Sequence, residues 1–159
     1  IRALSTLWIT AFLIFIVDQF TKLIVVHALD LKTRGGMMVL DPFLNFRMAW
    51  NYGINFGLFS GDNPAMPWIL ITLAIVISIV VLVWVTREPG GRWQNIAAGF
   101  LIGGALGNVV DRIIYGAVAD FLNMSCCGFS NPFSFNVADI AVFLGALGLI
   151  IFTGDKKAA

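Results

Sequence analysis

Long apolar runs separated by short polar connections dominate this chain. Four runs are long enough to cross the hydrocarbon core of a bilayer, which takes about 20 helical residues. They cover approximately residues 4–28, 64–86, 93–114 and 135–153. The second run, WILITLAIVISIVVLVWV, carries no charged residue, whereas each of the other three contains at least one aspartate. This pattern predicts four membrane-spanning helices.

Two further segments interrupt the apolar runs. Residues 30–60 include MMVLDPFLNFRMAWNYGINFGLF, in which large apolar and polar residues alternate and aromatic residues are frequent. Alternation with a period of two predicts two or three short strands, and Trp50 and Tyr52 are suited to a membrane–water interface. We therefore expect a small external β subdomain over 30–60. We expect an external loop over 115–134, irregular from 125 to 132 because of its turn-forming residues.

Composition supports a membrane protein. The chain is 59% hydrophobic and only 12% charged, whereas soluble domains carry roughly a quarter charged residues. We interpret the first run as a retained span, because it contains Asp18, exceeds the apolar core of a signal peptide and lacks an A-x-A-like cleavage site. A net charge of +1 without a basic run argues against nucleic-acid binding. With a single histidine, His27, no zinc-type cluster is present in the sequence, and we expect neither metal nor cofactor.

The distribution of basic residues predicts the orientation. Five lie at the termini and in the short connection between the second and third runs: Arg2, Arg87, Arg92, Lys156 and Lys157. Three lie in the 30–60 segment and none in 115–134. Because cytoplasmic loops are enriched in Lys and Arg, we expect both termini in the cytoplasm and residues 1–159 to form one multi-pass membrane domain.

The aspartates in and near the spans differ in whether a base lies close to them. Asp18 and Lys22 are four residues apart and suited to an ion pair on one helix face, and Asp111 adjoins Arg112. By contrast, no Lys, Arg, His or Glu lies between residues 113 and 155, so Asp120 and Asp139 have no basic neighbour in sequence. A short connection joins the two runs that flank them, so these two carboxylates can meet.

Two carboxylates at close range in a poorly hydrated site cannot both ionise easily, so one keeps a proton. That state suits an aspartyl hydrolase, in which one member takes a proton from water and the other donates one. The structural alternative is that each aspartate caps a helix or pairs with Arg112. Intramembrane ionisable groups are frequently functional, and two unpaired acids favour the catalytic hypothesis.

The third run carries two stripes at a spacing of four residues. Gly99, Gly103 and Gly107 lead to Asp111, and Gly104 leads through Asn108 to Arg112. Small residues at this spacing let helices approach closely. The same stripes lead toward the polar residues, where Arg112 is able to orient a carboxylate or a substrate group.

Five motifs resemble those of the lipoprotein signal peptidase (signal peptidase II) family. They are DQFTK (18–22), NYGINFG (51–57), GGALGNVVDR (103–112), VADF (118–121) and FNVAD (135–139). The third is similar to the family's Gly-Gly-x-x-Gly-Asn-x-x-Asp-Arg motif at nearly every position. The five occur in the same order as in the family and extend over most of the chain.

The resemblance implies a metal-independent aspartyl endopeptidase of the bacterial inner membrane. Its substrates would be prolipoproteins that carry a diacylglyceryl group, cut just before the lipidated cysteine, with membrane lipid around a monomeric enzyme. Asp120 and Asp139 would be the catalytic pair. The residues expected to position substrate or support the site are Asn51, Gly53, Asn108, Arg112, Asn136, Asp18 and Lys22.

Two stretches depart from the family pattern. Ile54 and Asn55 replace the usual Ala-Ala pair, and the 123–134 segment contains Cys126 and Cys127. We expect two free thiols there rather than a vicinal disulfide. The alternative function is that of a non-catalytic relative, which binds lipid or serves as a subunit of a membrane complex. A transporter is less well supported, because the chain shows no internal repeat.

Overall fold

The computed structural model describes residues 2–53 and 63–154. Within these residues lie five α-helices, one π-helical segment and three strands. The elements are α1 (Arg2–Lys22), the π-helical segment (Leu23–Ala28), α2 (Leu31–Arg34), β1 (Gly36–Leu40), β2 (Leu44–Asn51), α3 (Met66–Arg87), α4 (Arg92–Tyr115), β3 (Val118–Met124) and α5 (Val137–Gly154).

Three helical stretches are long and apolar enough to cross a membrane. They are Leu4–Ala28, Met66–Arg87 and Arg92–Tyr115, and they coincide with the first three predicted runs. The fourth predicted span is also a helix, α5, but its apolar part, Val137–Thr153, is shorter. The protein is thus mainly helical with a small sheet, as expected from the sequence.

Helix α4 lies at the centre of the helical part. In the most apolar 18-residue segment of α4, 61% of the residues are buried. The corresponding share is 28% in the Leu4–Ala28 stretch and 28% in α3. The glycine stripes explain why its neighbours approach so closely. A Cβ atom at Gly99 or Gly103 would overlap the backbone of α1, and one at Gly104 would overlap the Ala138 carbonyl in α5. The predicted role of these glycines in close packing is therefore confirmed.

The three strands form one antiparallel sheet in the order β1-β2-β3. Two of them lie in the 30–60 segment, as predicted. The third, β3, lies in the segment that we expected to be a loop, so that expectation is wrong for Val118–Met124. From Ala117 to Phe121 every residue is buried, so β3 lacks the alternation of apolar and polar residues that identifies a half-exposed strand.

The π-helical segment and α2 pack against the sheet. Val25, Val26 and Leu31 are buried there with Ala119 and Phe121 of β3. Phe121 also meets Phe46 edge to face, with ring centroids 5.8 Å apart. This small apolar core attaches the sheet to the end of α1 and thereby fixes the position of β3 relative to the helices.

The loop after β3 corrects the cysteine prediction. Cys126 and Cys127 are joined by a disulfide, and no free cysteine is present. Within the loop, Cys126 and Phe129 exchange backbone hydrogen bonds, and Cys127 has a positive φ of 59°. The expectation of two free thiols is wrong, because this tight turn brings the adjacent sulfur atoms within bonding distance.

Candidate active site

Asp120 lies in the middle of β3, opposite Ala49 of β2. Its side chain is buried, with the residue only 3% exposed. Two amides donate hydrogen bonds to it: Asn51 Nδ2 to Oδ2 at 3.0 Å and Asn136 Nδ2 to Oδ1 at 2.7 Å. Neighbouring elements thus hold both oxygens of this carboxylate in place.

Asp139 lies in the first turn of α5, where it forms a reciprocal cap with Asn136. The Asp139 N–H donates to Asn136 Oδ1 at 2.9 Å, and the Asn136 N–H donates to Asp139 Oδ2 at 3.3 Å. This is the arrangement of a capping box, with an acid three residues after the cap. The other oxygen, Oδ1, accepts a hydrogen bond from Asn108 Nδ2 at 3.0 Å. Asp139 is half-buried, and both oxygens of its carboxylate are thus held by neighbouring groups.

Asn136 brings the two carboxylates together. It is fully buried, its side-chain amide donates to Asp120, and its backbone N–H donates to Asp139. The same Nδ2 also lies 3.2 Å from Asn108 Oδ1. Among the residues that the structure describes, the ion pairs involve neither of the two carboxylates. The shared contact with Asn136 brings Asp120 and Asp139 into one cluster, as their positions at the ends of neighbouring runs led us to expect.

The environment of Asp120 favours its protonated form. Burial, reinforced by the nearby charge of Asp139, raises the pKa of Asp120 from an ordinary value of 3.8 to about 7. Hydrogen bonds from Asn51 and Asn136 act in the opposite direction and are outweighed. A carboxyl group that holds its proton near neutral pH can serve as a general acid.

A second cluster, formed by Lys22, Asp18 and Asp111, lies next to the pair. Lys22 Nζ lies 2.8 Å from Asp18 Oδ2 and 2.8 Å from Asp111 Oδ2. The predicted pairing of Asp18 with Lys22 is confirmed. Asp111 pairs with Lys22 and not with its sequence neighbour Arg112, because it continues the stripe of α4 that faces α1. Lys22 also donates to Asn108 Oδ1 at 3.3 Å, which links this cluster to Asp139.

Arg112 connects α4 to the end of β2. Its Nη2 donates to the Gly53 carbonyl at 3.0 Å and its Nη1 donates to the Asn108 carbonyl at 3.4 Å. The Gly53 N–H in turn donates to Asn51 Oδ1 at 3.1 Å. Ile54 and Asn55, which depart from the family pattern, lie outside the described residues.

All nine residues predicted from the sequence belong to one connected network of hydrogen bonds. The list is Asp120, Asp139, Asn51, Gly53, Asn108, Arg112, Asn136, Asp18 and Lys22. Two further members were not predicted as site residues, Asp111 and Gln19. Asp111 could have been predicted, because it ends the stripe of glycines spaced four residues apart. No pattern in the sequence identifies Gln19, which simply follows Asp18.

An apolar groove opens beside Asp139. It has a volume of about 230 Å³, and Asn108 and Arg112 lie with Asp139 at its polar end. The remaining lining residues are aliphatic and come from α3, α4 and α5. A groove of this kind can take an apolar chain with its polar end against the carboxylate. Among the described residues, no three His, Cys, Asp or Glu side chains converge in a way that would hold a metal ion.

Comparison with known proteins identifies the family. Residues 10–154 match the A8 peptidase family model, described as signal peptidase (SPase) II. This chain belongs to the signal peptidase II family. It is 40% identical over 158 residues to the lipoprotein signal peptidase of Alteromonas mediterranea, and the alignment covers 97% of this chain and 84% of that protein. It is 40% identical over 139 residues to the lipoprotein signal peptidase of Methylobacterium radiotolerans, covering 87% and 80%.

Solved structures agree with this assignment. A bacterial membrane enzyme determined by the in meso method at 2.3 Å resolution aligns with a TM-score of 0.77 and 28% identity, covering 97% of this signal peptidase II family chain and 90% of that one. Another, determined at 1.9 Å resolution, aligns with a TM-score of 0.73 and 30% identity, covering 92% and 91%. The family and the enzyme class expected from the five motifs, a peptidase, are confirmed.

Proposed function

We propose that this protein removes signal peptides from diacylglyceryl-modified prolipoproteins, cutting just before the lipidated cysteine, with Asp120 and Asp139 as its catalytic pair. One observation carries the assignment of the pair. Asn136 donates to Asp120 through its side chain and to Asp139 through its backbone, so two acids without an ion-paired cation share one anchor. The relatives named lipoprotein signal peptidase support the substrate class.

The pair shares one proton when it acts. The ionised member takes a proton from water as the water oxygen attacks the scissile carbonyl carbon, and the protonated member donates its proton to the carbonyl oxygen. The tetrahedral intermediate then collapses. Its C–N bond breaks as the leaving nitrogen accepts a proton from the member that received one from water, and the other member takes a proton back from one of the two hydroxyl groups of the intermediate, which restores the shared proton. The products are a signal peptide with a free carboxyl group and a protein that begins with the lipidated cysteine.

The surrounding polar groups position the substrate. Asn51, Asn108 and Asn136 hold the carboxylates, and Arg112, with Gly53, lies beside the apolar groove. The groove suits the apolar part of a lipidated peptide, because its walls are aliphatic and its polar end is the carboxylate of Asp139. Asp18 and Lys22 support this arrangement through Asn108.

The protein acts as a monomer in the bacterial inner membrane, within a single domain over 1–159. Helix α5 is the fourth span. Both termini lie in the cytoplasm and the sheet lies on the outer surface. The distribution of Lys and Arg supports this orientation, and it brings the sheet to the side on which exported prolipoproteins arrive.

The function is tested with purified protein in detergent or lipid and a diacylglyceryl-modified prolipoprotein, whose cleavage is followed by gel shift. Asp120→Asn and Asp139→Asn are each expected to lower the cleavage rate by at least about a thousandfold, because neither leaves a carboxylate pair that shares a proton. Asp41→Asn, at an exposed aspartate in the β1–β2 turn, serves as the matched control and retains full activity.

Two results would count against the proposal. If both site variants still cleave the substrate, the pair is not catalytic. If the parent binds the lipidated protein but never cleaves it, the non-catalytic lipid-binding alternative gains instead. Thermal unfolding of each variant separates a loss of chemistry from a loss of fold.

A further inference from the structure

Two buried carboxylates each hold a backbone N–H that adjoins a catalytic residue. Asp18 Oδ1 accepts a hydrogen bond at 2.9 Å from the N–H of Ala138, the residue immediately before the catalytic aspartate of α5. Asp111 Oδ2 accepts a hydrogen bond at 3.1 Å from the N–H of Ala119, the residue immediately before the catalytic aspartate of β3. The separation of these two carboxylates therefore helps to set the separation of the catalytic pair.

The two carboxylates lie on either side of one cation. Lys22 Nζ is 2.8 Å from an oxygen of each, and the side chains of Asp18 and Asp111 are 0% and 2% exposed. One ammonium group balances only one of two negative charges, and an uncompensated buried carboxylate is costly. Further hydrogen-bond donors are needed to keep both carboxylates at this distance.

Gln19 supplies those donors. Its Nε2 lies 3.1 Å from Asp18 Oδ2, 3.2 Å from Asp111 Oδ1 and 3.2 Å from the Gly107 carbonyl. Its amide therefore joins α1 to α4 at the same two carboxylates that Lys22 joins. Unlike Lys22, it adds no charge, and it lines a cavity of about 260 Å³.

We propose that Gln19 is a positioning residue for the catalytic pair, which it reaches through Asp18 and Asp111 and their bonds to Ala138 and Ala119. This inference rests on the proposed function, because it assumes that the two aspartates beyond those backbone groups perform the chemistry. Gln19 does not line the groove that receives the substrate. Its loss should therefore affect the rate of the chemical step and leave substrate binding nearly unchanged.

The test compares three variants. Gln19→Met keeps the shape of the side chain and removes its donor, and Gln19→Glu keeps the shape and presents a third carboxylate to the first two. Gln94→Met makes the same substitution at a buried glutamine near the start of α4, where the amide donates to the Glu88 carbonyl, and serves as the matched control. Each is assayed for kcat and KM with the lipidated prolipoprotein, beside the parent and Asp120→Asn.

We expect Gln19→Met to lower kcat by on the order of tenfold with KM changed less than about twofold, since small displacements of reacting groups reduce rates steeply. Gln19→Glu should lower kcat further, because it adds charge repulsion to the lost hydrogen bonds. Gln94→Met should leave kcat unchanged, whatever its effect on stability. An unchanged kcat in a folded Gln19→Met, with the parent active, would overturn the positioning role alone. A parent that fails to cleave would overturn the proposed function together with this inference.

A second measurement does not depend on activity. Hydrogen–deuterium exchange of peptides containing Ala119 and Ala138 reports on the two N–H groups that the carboxylates hold. Both should exchange at least several-fold faster in Gln19→Met than in the parent or in Gln94→Met. Exchange at the parent's rate at both positions would show that Gln19 does not act through these bonds and would overturn the inference.

Discussion

At the scale of single residues, Asn136 has two roles that a shorter or charged side chain could not combine. Its Oδ1 and backbone N–H cap the start of α5 together with Asp139, and its Nδ2 reaches Asp120 in β3. The cap fixes the first turn of the helix, and the amide fixes that turn to the strand. Aspartate at this position would keep the cap but add a third carboxylate and lose the donor.

The environment of Asp120 predicts how activity depends on pH. Its pKa is raised to about 7 by burial and by Asp139, so the shared proton is lost as the pH rises through that value. We expect kcat/KM to fall about tenfold per pH unit above pH 7, as for an essential acid of the free enzyme. The pH profile of kcat/KM measures this directly, and a kcat/KM that stays constant from pH 7 to 9 would contradict it.

The same shift predicts a linked effect on stability. Between pH 4 and 7 the folded protein keeps a proton on Asp120 that the unfolded chain releases, so the free energy of unfolding decreases as the pH rises through this range. Asp120→Asn cannot titrate at this position and serves as the control for the pH dependence of the free energy of unfolding. Its free energy of unfolding should fall less steeply over the same range.

Much of the site could be predicted from single residues. Asp120 and Asp139 could be identified because no basic residue lies between 113 and 155, and the absence of a neighbouring base can be read directly from the sequence. The partner of Asp111 could not be predicted in this way. Lys22 reaches it from another helix, and sequence adjacency favoured Arg112, whose side chain instead extends toward Gly53.

At the scale of elements, close contact between α4 and its neighbours determines where the polar residues of the site lie. Gly103 faces the backbone of α1 near Ala11, and Gly104 faces the backbone of α5 at Ala138. The helix therefore packs against both partners at its glycines, one turn before Asn108. A larger residue here would separate the helices that carry Asp18 and Asp139.

Gly103→Ala tests this packing. An added Cβ would overlap the carbonyl of Ala11, and overpacking of this kind costs about 1–3 kcal/mol. We expect a lower unfolding temperature in detergent and reduced activity. Gly36→Ala is the control, because the nearest atom to its added Cβ is the Phe46 carbonyl oxygen at 3.5 Å, an ordinary contact. Equal unfolding temperatures for the two variants would refute the packing argument.

Elements were predictable where their pattern differed from that of their surroundings. The uncharged run of α3 and the alternating residues of β2 were identified from sequence. Strand β3 was not, because its two faces are both buried: one meets the π-helical segment and α2, and the other carries Asp120. A short strand without exposed polar positions has no alternation to detect, and its partner β2 is distant in the chain.

At the scale of the whole molecule, the proposed orientation puts α2 and the sheet on the outer surface and the α3–α4 connection in the cytoplasm. Single-cysteine variants at exposed positions test it in a chain whose Cys126 and Cys127 are replaced by serine. A membrane-impermeant thiol reagent should label Thr33→Cys in intact spheroplasts. It should label Glu88→Cys only after the membrane is opened, and the reverse pattern would overturn the proposed topology.

The loop between β3 and α5 is held together by hydrogen bonds where it joins these two elements, and its tip is exposed. Three backbone hydrogen bonds join Phe121 and Leu122 to Phe135, and the Asn123 amide holds the carbonyls of Asn131 and Phe133. Residues 127–130, beyond these ties, are exposed. Evolution or an engineer can therefore lengthen this end, or attach a fluorophore or an affinity tag to it, while the strand and helix that carry the two aspartates keep their spacing.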